Sequence, residues 1–146
     1  MKKIETEIEI HAPIEKVWEV LTDFNNWEKW NPIVYQAHGK LLKDSKVDII
    51  MYSGKNNLGH KYSATLTEIT VPKSLQWNAI MMAGFLFTNG KIFKLHKTES
   101  GTKLIHSETF KGILVPMFWK KLNQGVPKML SSMNKALKEA VEKSEK

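Results

Sequence analysis

His106 and Glu108 are the residues whose types and spacing could do chemistry. They stand two apart in the stretch Thr102–Phe110, so on an extended chain they share one face with Leu104 and Phe110. Apolar ends bracketing a polar pair predict that this face points into an apolar interior. There desolvation should raise the carboxyl pKa, and a neighbouring imidazolium would oppose that shift. Such a pair can act as acid and base in a dehydration or an aldol-type cyclisation. It can also orient a ligand. A third reading is purely structural: the two bond each other, a tyrosine or a buried water and are thereby satisfied.

Other chemistry finds less support. The chain has no cysteine, which removes thiolate nucleophiles, thiolate metal ligands and disulfides. His11, His38, His60 and His96 lack metal-ligand spacing and read as surface or turn residues, and Asp44 with Asp48 fits an exposed turn. No metal and no cofactor is therefore expected. No Ser/His/Asp set can be assigned from sequence order alone. Trp18, Trp27, Trp30 and Trp77 fit core packing, with Trp77 the best placed of them to touch a ligand.

The elements that would hold this pair are legible in the hydrophobic pattern. Lys3 to Ile10 alternates, with Ile4, Thr6, Ile8 and Ile10 on one face and charged residues on the other, which predicts a half-buried strand. Pro13 suits the first turn of a helix carrying Ile14, Val17, Trp18 and Leu21. A second short helix with Phe24 and Trp27 should stop at Asn31-Pro32. Six further strands are predicted at 33–41, 47–51, 61–69, 74–81, 91–97 and 102–110. Turn residues separate them, among them Ser53-Gly54-Lys55-Asn56-Asn57 and Thr88-Asn89-Gly90. Connections this short favour an antiparallel meander.

The C-terminal stretch from Pro116 to about Lys143 carries Trp119, Leu122, Val126, Met129, Met133, Leu137 and Ala140 at helical steps. A long amphipathic helix and a one-sided sheet can cover each other, which gives an α+β fold. Pro127, preceded by Asn123-Gln124-Gly125, predicts a break or kink near Gly125. The element would then be a lid over 116–122 and a wall over 126–143, with Met129, Leu130 and Met133 as a floor. The charged tail 139–146 should fray.

Size and charge bound the rest. At 146 residues the chain reads as one domain, 1–146, large enough for a core or a core with a hollow. With no signal-like leader and no run of about 20 apolar residues, a cytoplasmic protein is expected. The net charge is +7, but every one of the 22 basic residues is lysine and they are scattered. Arginine is the usual reader of guanine edges and bidentate ligand of phosphate, so no nucleic-acid partner is expected.

Four stretches resemble a known family. Ala12-Pro13-Ile14-Glu15-Lys16-Val17-Trp18, Asn26-Trp27-Glu28-Lys29-Trp30-Asn31-Pro32, Thr67-Glu68-Ile69 with Pro72 and Leu75-Gln76-Trp77, and 101–112 look like the signature stretches of the START-like, Bet v 1-like (SRPBCC) superfamily. The chain most resembles its bacterial polyketide cyclase/dehydrase-like branch. The resemblance implies a helix-grip fold: a seven-stranded antiparallel sheet wrapped around the C-terminal helix, two short helices after the first strand, and an internal cavity.

In that frame the expected ligand-binding residues are Tyr62, Trp77, Phe93, Leu95, His106, Glu108, Phe110, Met129 and Met133. The apolar connections 81–87 and 113–119 suggest a flexible portal with Met81, Met82, Phe85 and Phe118. They could instead make a dimer contact or dip into a membrane surface. The leading expectation is a monomer or homodimer that binds a small hydrophobic or amphipathic molecule, such as a lipid or a polyketide-like aromatic. A cyclase or dehydratase using His106 and Glu108 is the alternative, and a co-chaperone-like interaction module the third.

Overall fold

The computed structural model describes residues 1–52, 58–81 and 83–144. The predicted turn 53–57, Met82 and the tail residues Glu145 and Lys146 lie outside the described residues. The elements run β1 (Lys2–Ile10), α1 (Ile14–Thr22), a 3-10 helix (Phe24–Lys29), β2 (Val34–Gly39), β3 (Lys46–Tyr52), β4 (Leu58–Thr70), β5 (Ser74–Ile80), β6 (Thr88–Lys97), β7 (Thr102–Lys111) and α2 (Val115–Ser144). Each predicted strand is present within a few residues. The second short helix is a 3-10 helix, the tighter form suited to one or two turns.

The seven strands form one antiparallel sheet in the order β1-β7-β6-β5-β4-β3-β2. Only the β1–β7 pairing is non-sequential, and it places Thr6 opposite His106. Register shifts interrupt the β2–β3, β3–β4 and β4–β5 pairings. Each such bulge bends its strand and adds twist, so this half of the sheet curls toward the helix.

Local chemistry sets the corner after α1. The Trp27 indole donates to the Leu21 carbonyl at 2.9 Å. The buried Asn31 accepts through Oδ1 from the backbone N–H groups of Ile33 and Val34, each at 2.9 Å. That side chain ends the helical corner and starts β2.

α2 corrects the expectation of a break. It is helical without interruption from Val115 to Ser144, with Pro127 inside it. The lost bond belongs to the carbonyl of Asn123, and residues 123–125 are exposed, so water can take it over. Packing on both sides of the proline outweighs the local penalty. Residues 139–144 do not fray: Val141 is fully buried, and Lys138 holds Glu142 at 2.6 Å. The buried row of α2 is Val126, Leu130, Met133, Asn134, Leu137 and Val141. Met129 and Ala140, assigned to that row by spacing, sit at its margin.

Two apolar clusters result. The larger joins the inner sheet face to α1, Trp27 and the rear of α2 through Met133, Leu137 and Val141. The smaller gathers Ile4, Phe110, Val115, Val126 and Leu130, with Phe87, Trp119 and Leu122 against it.

Candidate functional site

Strand register decides what surrounds His106 and Glu108. β6 lies beside β7 with Phe93 opposite His106 and Lys91 opposite Glu108. Lys91 reaches between the two expected partners. Its ammonium is 3.0 Å from Glu108 Oε1 and 3.0 Å from His106 Nε2. An ammonium has no lone pair, so Nε2 must accept and the ring proton sits on Nδ1. From there it is donated to Asn134 Oδ1 at 2.8 Å. Asn134 Nδ2 donates to Thr6 Oγ1 at 2.8 Å, and Thr6 donates to the His106 carbonyl at 3.0 Å. Phe93 stacks on the imidazole at 4.3 Å. His106 is fully buried.

The electrostatics agree with this proton assignment. Burial first, and the Lys91 charge second, hold the His106 pKa well below its ordinary value, while the bond to Asn134 pulls the other way. The histidine is neutral. The cationic neighbour of Glu108 is therefore the Lys91 ammonium and not an imidazolium, and His106 and Glu108 are not bonded to each other. The other Glu108 oxygen accepts from Asn89 at 3.1 Å. Burial, and secondarily the Glu108 charge, push the Tyr62 phenol far above its ordinary range, so it stays protonated.

Beside this network lies an enclosed cavity of about 20 Å³, room for roughly one water. Trp27, Met51, Tyr62, Trp77, Lys91, Glu108, Met129, Leu130 and Met133 are in its wall. Of the residues expected to meet a ligand, Tyr62, Trp77, Glu108, Met129 and Met133 stand there. Four others do not. His106 and Phe93 pack behind Lys91, Leu95 pairs with Leu104 in the main core, and Phe110 belongs to the smaller cluster. α2 packs directly over β1 and β7, which fills that side. The hollow lies between α2 and the rest of the sheet, with side chains of β2 to β7 in its wall.

A second, open hollow of about 370 Å³ lies against the front of α2. Met81, Phe87, Phe118, Leu122, Gly125, Val126 and Met129 line it, with Lys121 the one charged side chain among the described residues. Two of the expected portal residues, Met81 and Phe118, are part of this groove. Phe85 is not, and is 69% exposed. Met129 lines both hollows.

Sequence reasoning missed Lys91, Asn134, Thr6 and Asn89 as members of the network. The signals existed. Lys91 is two residues before Phe93 and so shares its face, and Asn134 falls four after Leu130 and three before Leu137. Thr6 is the polar gap in the isoleucine row of β1. Among the described residues, no three His, Asp or Glu side chains cluster to hold a metal ion.

This architecture is a helix-grip α+β fold. Residues 1–142 match the family described as polyketide cyclase / dehydrase and lipid transport, and the chain belongs to that family. No curated protein matches it. Among solved structures it is similar to the Zhui aromatase/cyclase from Streptomyces sp. R1128, with 13% identity, TM-score 0.78, and 99% of this chain and 96% of that chain covered. Protein TTHA0849 from Thermus thermophilus is similar at 13% identity and TM-score 0.78, covering 99% and 100%. The di-domain ARO/CYC StfQ of the steffimycin biosynthetic pathway aligns at 12% identity and TM-score 0.79, over 97% of this chain and 51% of that one. At such identities the likeness is one of fold. Among the described residues no helix is long and apolar enough to cross a membrane.

Proposed function

We propose that the protein binds a small amphipathic molecule between the sheet and α2. The polar end would meet Lys91 and Glu108, and the apolar body would extend past Met129 into the groove. One observation carries this reading: a buried ion pair stands at the wall of an otherwise mostly apolar hollow, which shares one flexible side chain, Met129, with an open apolar groove. Burying two charges gains little stability, because desolvation offsets most of their attraction. A use in ligand recognition gives the pair a reason to be there. The Trp77 indole N–H, buried at the same wall and without a hydrogen-bond partner among the described residues, offers a further donor to a ligand oxygen.

The resting cavity is far below the roughly 300 Å³ or more of ordinary ligand pockets. Binding therefore requires Met129 to swing aside and join the two hollows. Isothermal calorimetry with dodecanoate and 1-naphthol tests this, one probe having a flexible and the other a flat apolar body. Saturable binding is expected for at least one, weakened about tenfold or more by Met129→Trp, which would plug the junction. Absence of saturable heat with both probes, together with no co-purifying small molecule in native mass spectrometry, would overturn the reading.

A second reading, a cyclase or dehydratase, is favoured by the place of Glu108 at the cavity wall, where a carboxylate can take a proton from a bound substrate. His106 is less suited to that role, since both ring nitrogens are engaged away from the cavity. Glu108→Gln separates the two: turnover is lost in an enzyme, whereas a binder keeps saturable uptake of an apolar ligand.

A further inference from the structure

The strands define two ends of the molecule with different surfaces. At one end lie the start of β1, the β5–β6 and β7–α2 connections and the first turns of α2, since Lys2 pairs with Phe110 and Ile80 with Thr88. The two connections are bound together: Ile113 N–H donates to the Phe85 carbonyl at 3.1 Å and Leu114 N–H to the Leu86 carbonyl at 3.2 Å. Gly112, at φ +126, permits this approach, because a Cβ there would sit 2.1 Å from the Leu86 carbonyl oxygen. The result is a tied platform that holds large apolar side chains in water, with Phe85 69%, Ile113 69% and Met117 68% exposed.

Charge around the platform is of one sign. From Thr109 to Lys138 the chain has six lysines and no acidic residue, and from Ile69 to Thr98 it again has none. Lys111 precedes Ile113, and Lys120 and Lys121 lie three and four residues beyond Met117 on the same helix face. Lys2 sits over the Trp119 ring at 5.1 Å. The far end is mixed by contrast: Glu9, Glu99 and Glu142 lie there among lysines, with Lys138 paired to Glu142 and Lys97 to Glu15.

We infer that this platform docks on an anionic lipid bilayer, with Phe85, Ile113 and Met117 entering the interface and Lys2, Lys111, Lys120 and Lys121 facing the headgroups. Exposed apolar side chains ringed by lysines fit that surface on both counts: apolar burial supplies one attraction and the surface potential the other. The apolar groove opens beside the platform, because Phe118 and Lys121 belong to its wall. A ligand leaving the bilayer would thus meet the groove directly. This extends the binding reading, but vesicle docking is measured without any ligand, so the two can fail separately.

The test is co-sedimentation with vesicles of phosphatidylcholine alone and with about 30% phosphatidylglycerol, at low salt and at about 0.3 M salt. Binding is expected only to the anionic vesicles, at least fivefold weaker at high salt. Ile113→Ser with Met117→Ser should abolish it, and Lys120→Glu with Lys121→Glu should reduce it tenfold or more. Lys40→Glu with Lys43→Glu, at the opposite end of the strands, lowers the net charge equally and should leave it intact. All six positions are exposed, so the variants should fold, which their melting curves check. No binding of the parent protein to anionic vesicles at low salt overturns the proposal. So does an equal loss in the Lys40/Lys43 pair, which would mean unspecific attraction. A dimer dissolved by Ile113→Ser with Met117→Ser, without vesicle binding, would assign the face to a second copy and also overturn it.

Discussion

The front and rear of α2 are one continuous helix with two different tasks. The rear, through Met133, Leu137 and Val141, is built into the main core, and Asn134 there closes the His106 network. The front, through Val115, Val126 and Leu130, covers a smaller cluster, and its Leu122 and Met129 border an open groove. The change falls between Leu130 and Met133, about a turn beyond Pro127, where a break had been expected near Gly125. The lesson is that a proline can lie inside a helix without ending it. A helix is held by what its faces bury as well as by its own bonds.

Truncation should separate the two halves most sharply. Leu137→Ala removes a fully buried side chain and should cost about 2–5 kcal/mol. Leu122→Ala, half-buried beside the groove, should cost about 1 kcal/mol or less. Urea denaturation of both variants measures the contrast, and equal losses would erase the distinction between the two halves.

Next in size is Asn134→Ala, which strands the His106 Nδ1–H in the interior, takes a donor away from the Thr6 hydroxyl oxygen and should cost about 1–3 kcal/mol. Acid reports on the same network. Because the folded-state pKa of His106 lies below that of an unfolded histidine, the unfolded chain binds the proton first as pH falls. Stability from this group is complete above about pH 6.5 and declines below it, by at most about 1.4 kcal/mol per pH unit. Denaturation between pH 5 and 7.5 should show that slope in the parent and a flatter curve in His106→Asn.

The smallest effect is expected at Gly125→Ala. A Cβ there meets nothing within 4 Å, and the position is exposed helix, so the change should stabilise by about 1 kcal/mol. If the front half must yield for a ligand to pass Met129, the same variant should take up dodecanoate more slowly in stopped-flow mixing. A more stable protein with unchanged uptake would mean that α2 stays still and Met129 moves alone.

Much of this molecule is legible in the chain. Alternation at Lys3–Ile10 and Thr102–Phe110 and the helical row from Val126 to Leu137 place the sheet and the long helix correctly, because local periodicity reports which face is buried. His106 and Glu108 stand out for the same reason. Lys91 does not, although it lies on the inward face, because lysine is almost never buried unless paired and its partner is on another strand. Asn134 is hidden likewise within an amphipathic helix that tolerates one polar residue in its row.

The sequence by itself therefore determined the order of elements, their inward faces and the membership of the family. Only the tertiary structure decided that Lys91 separates His106 from Glu108, and that Asn134 and Thr6 complete the chain of bonds. It also decided that the cavity holds about 20 Å³ and has Met129 in its wall. The physical reason is range. Periodicity acts between neighbours a few residues apart, whereas the His106–Asn134 and Asn134–Thr6 bonds join residues 28 and 128 positions apart. Those meetings, and the small space left beside them, depend on strand register and on how closely one helix lies over the sheet.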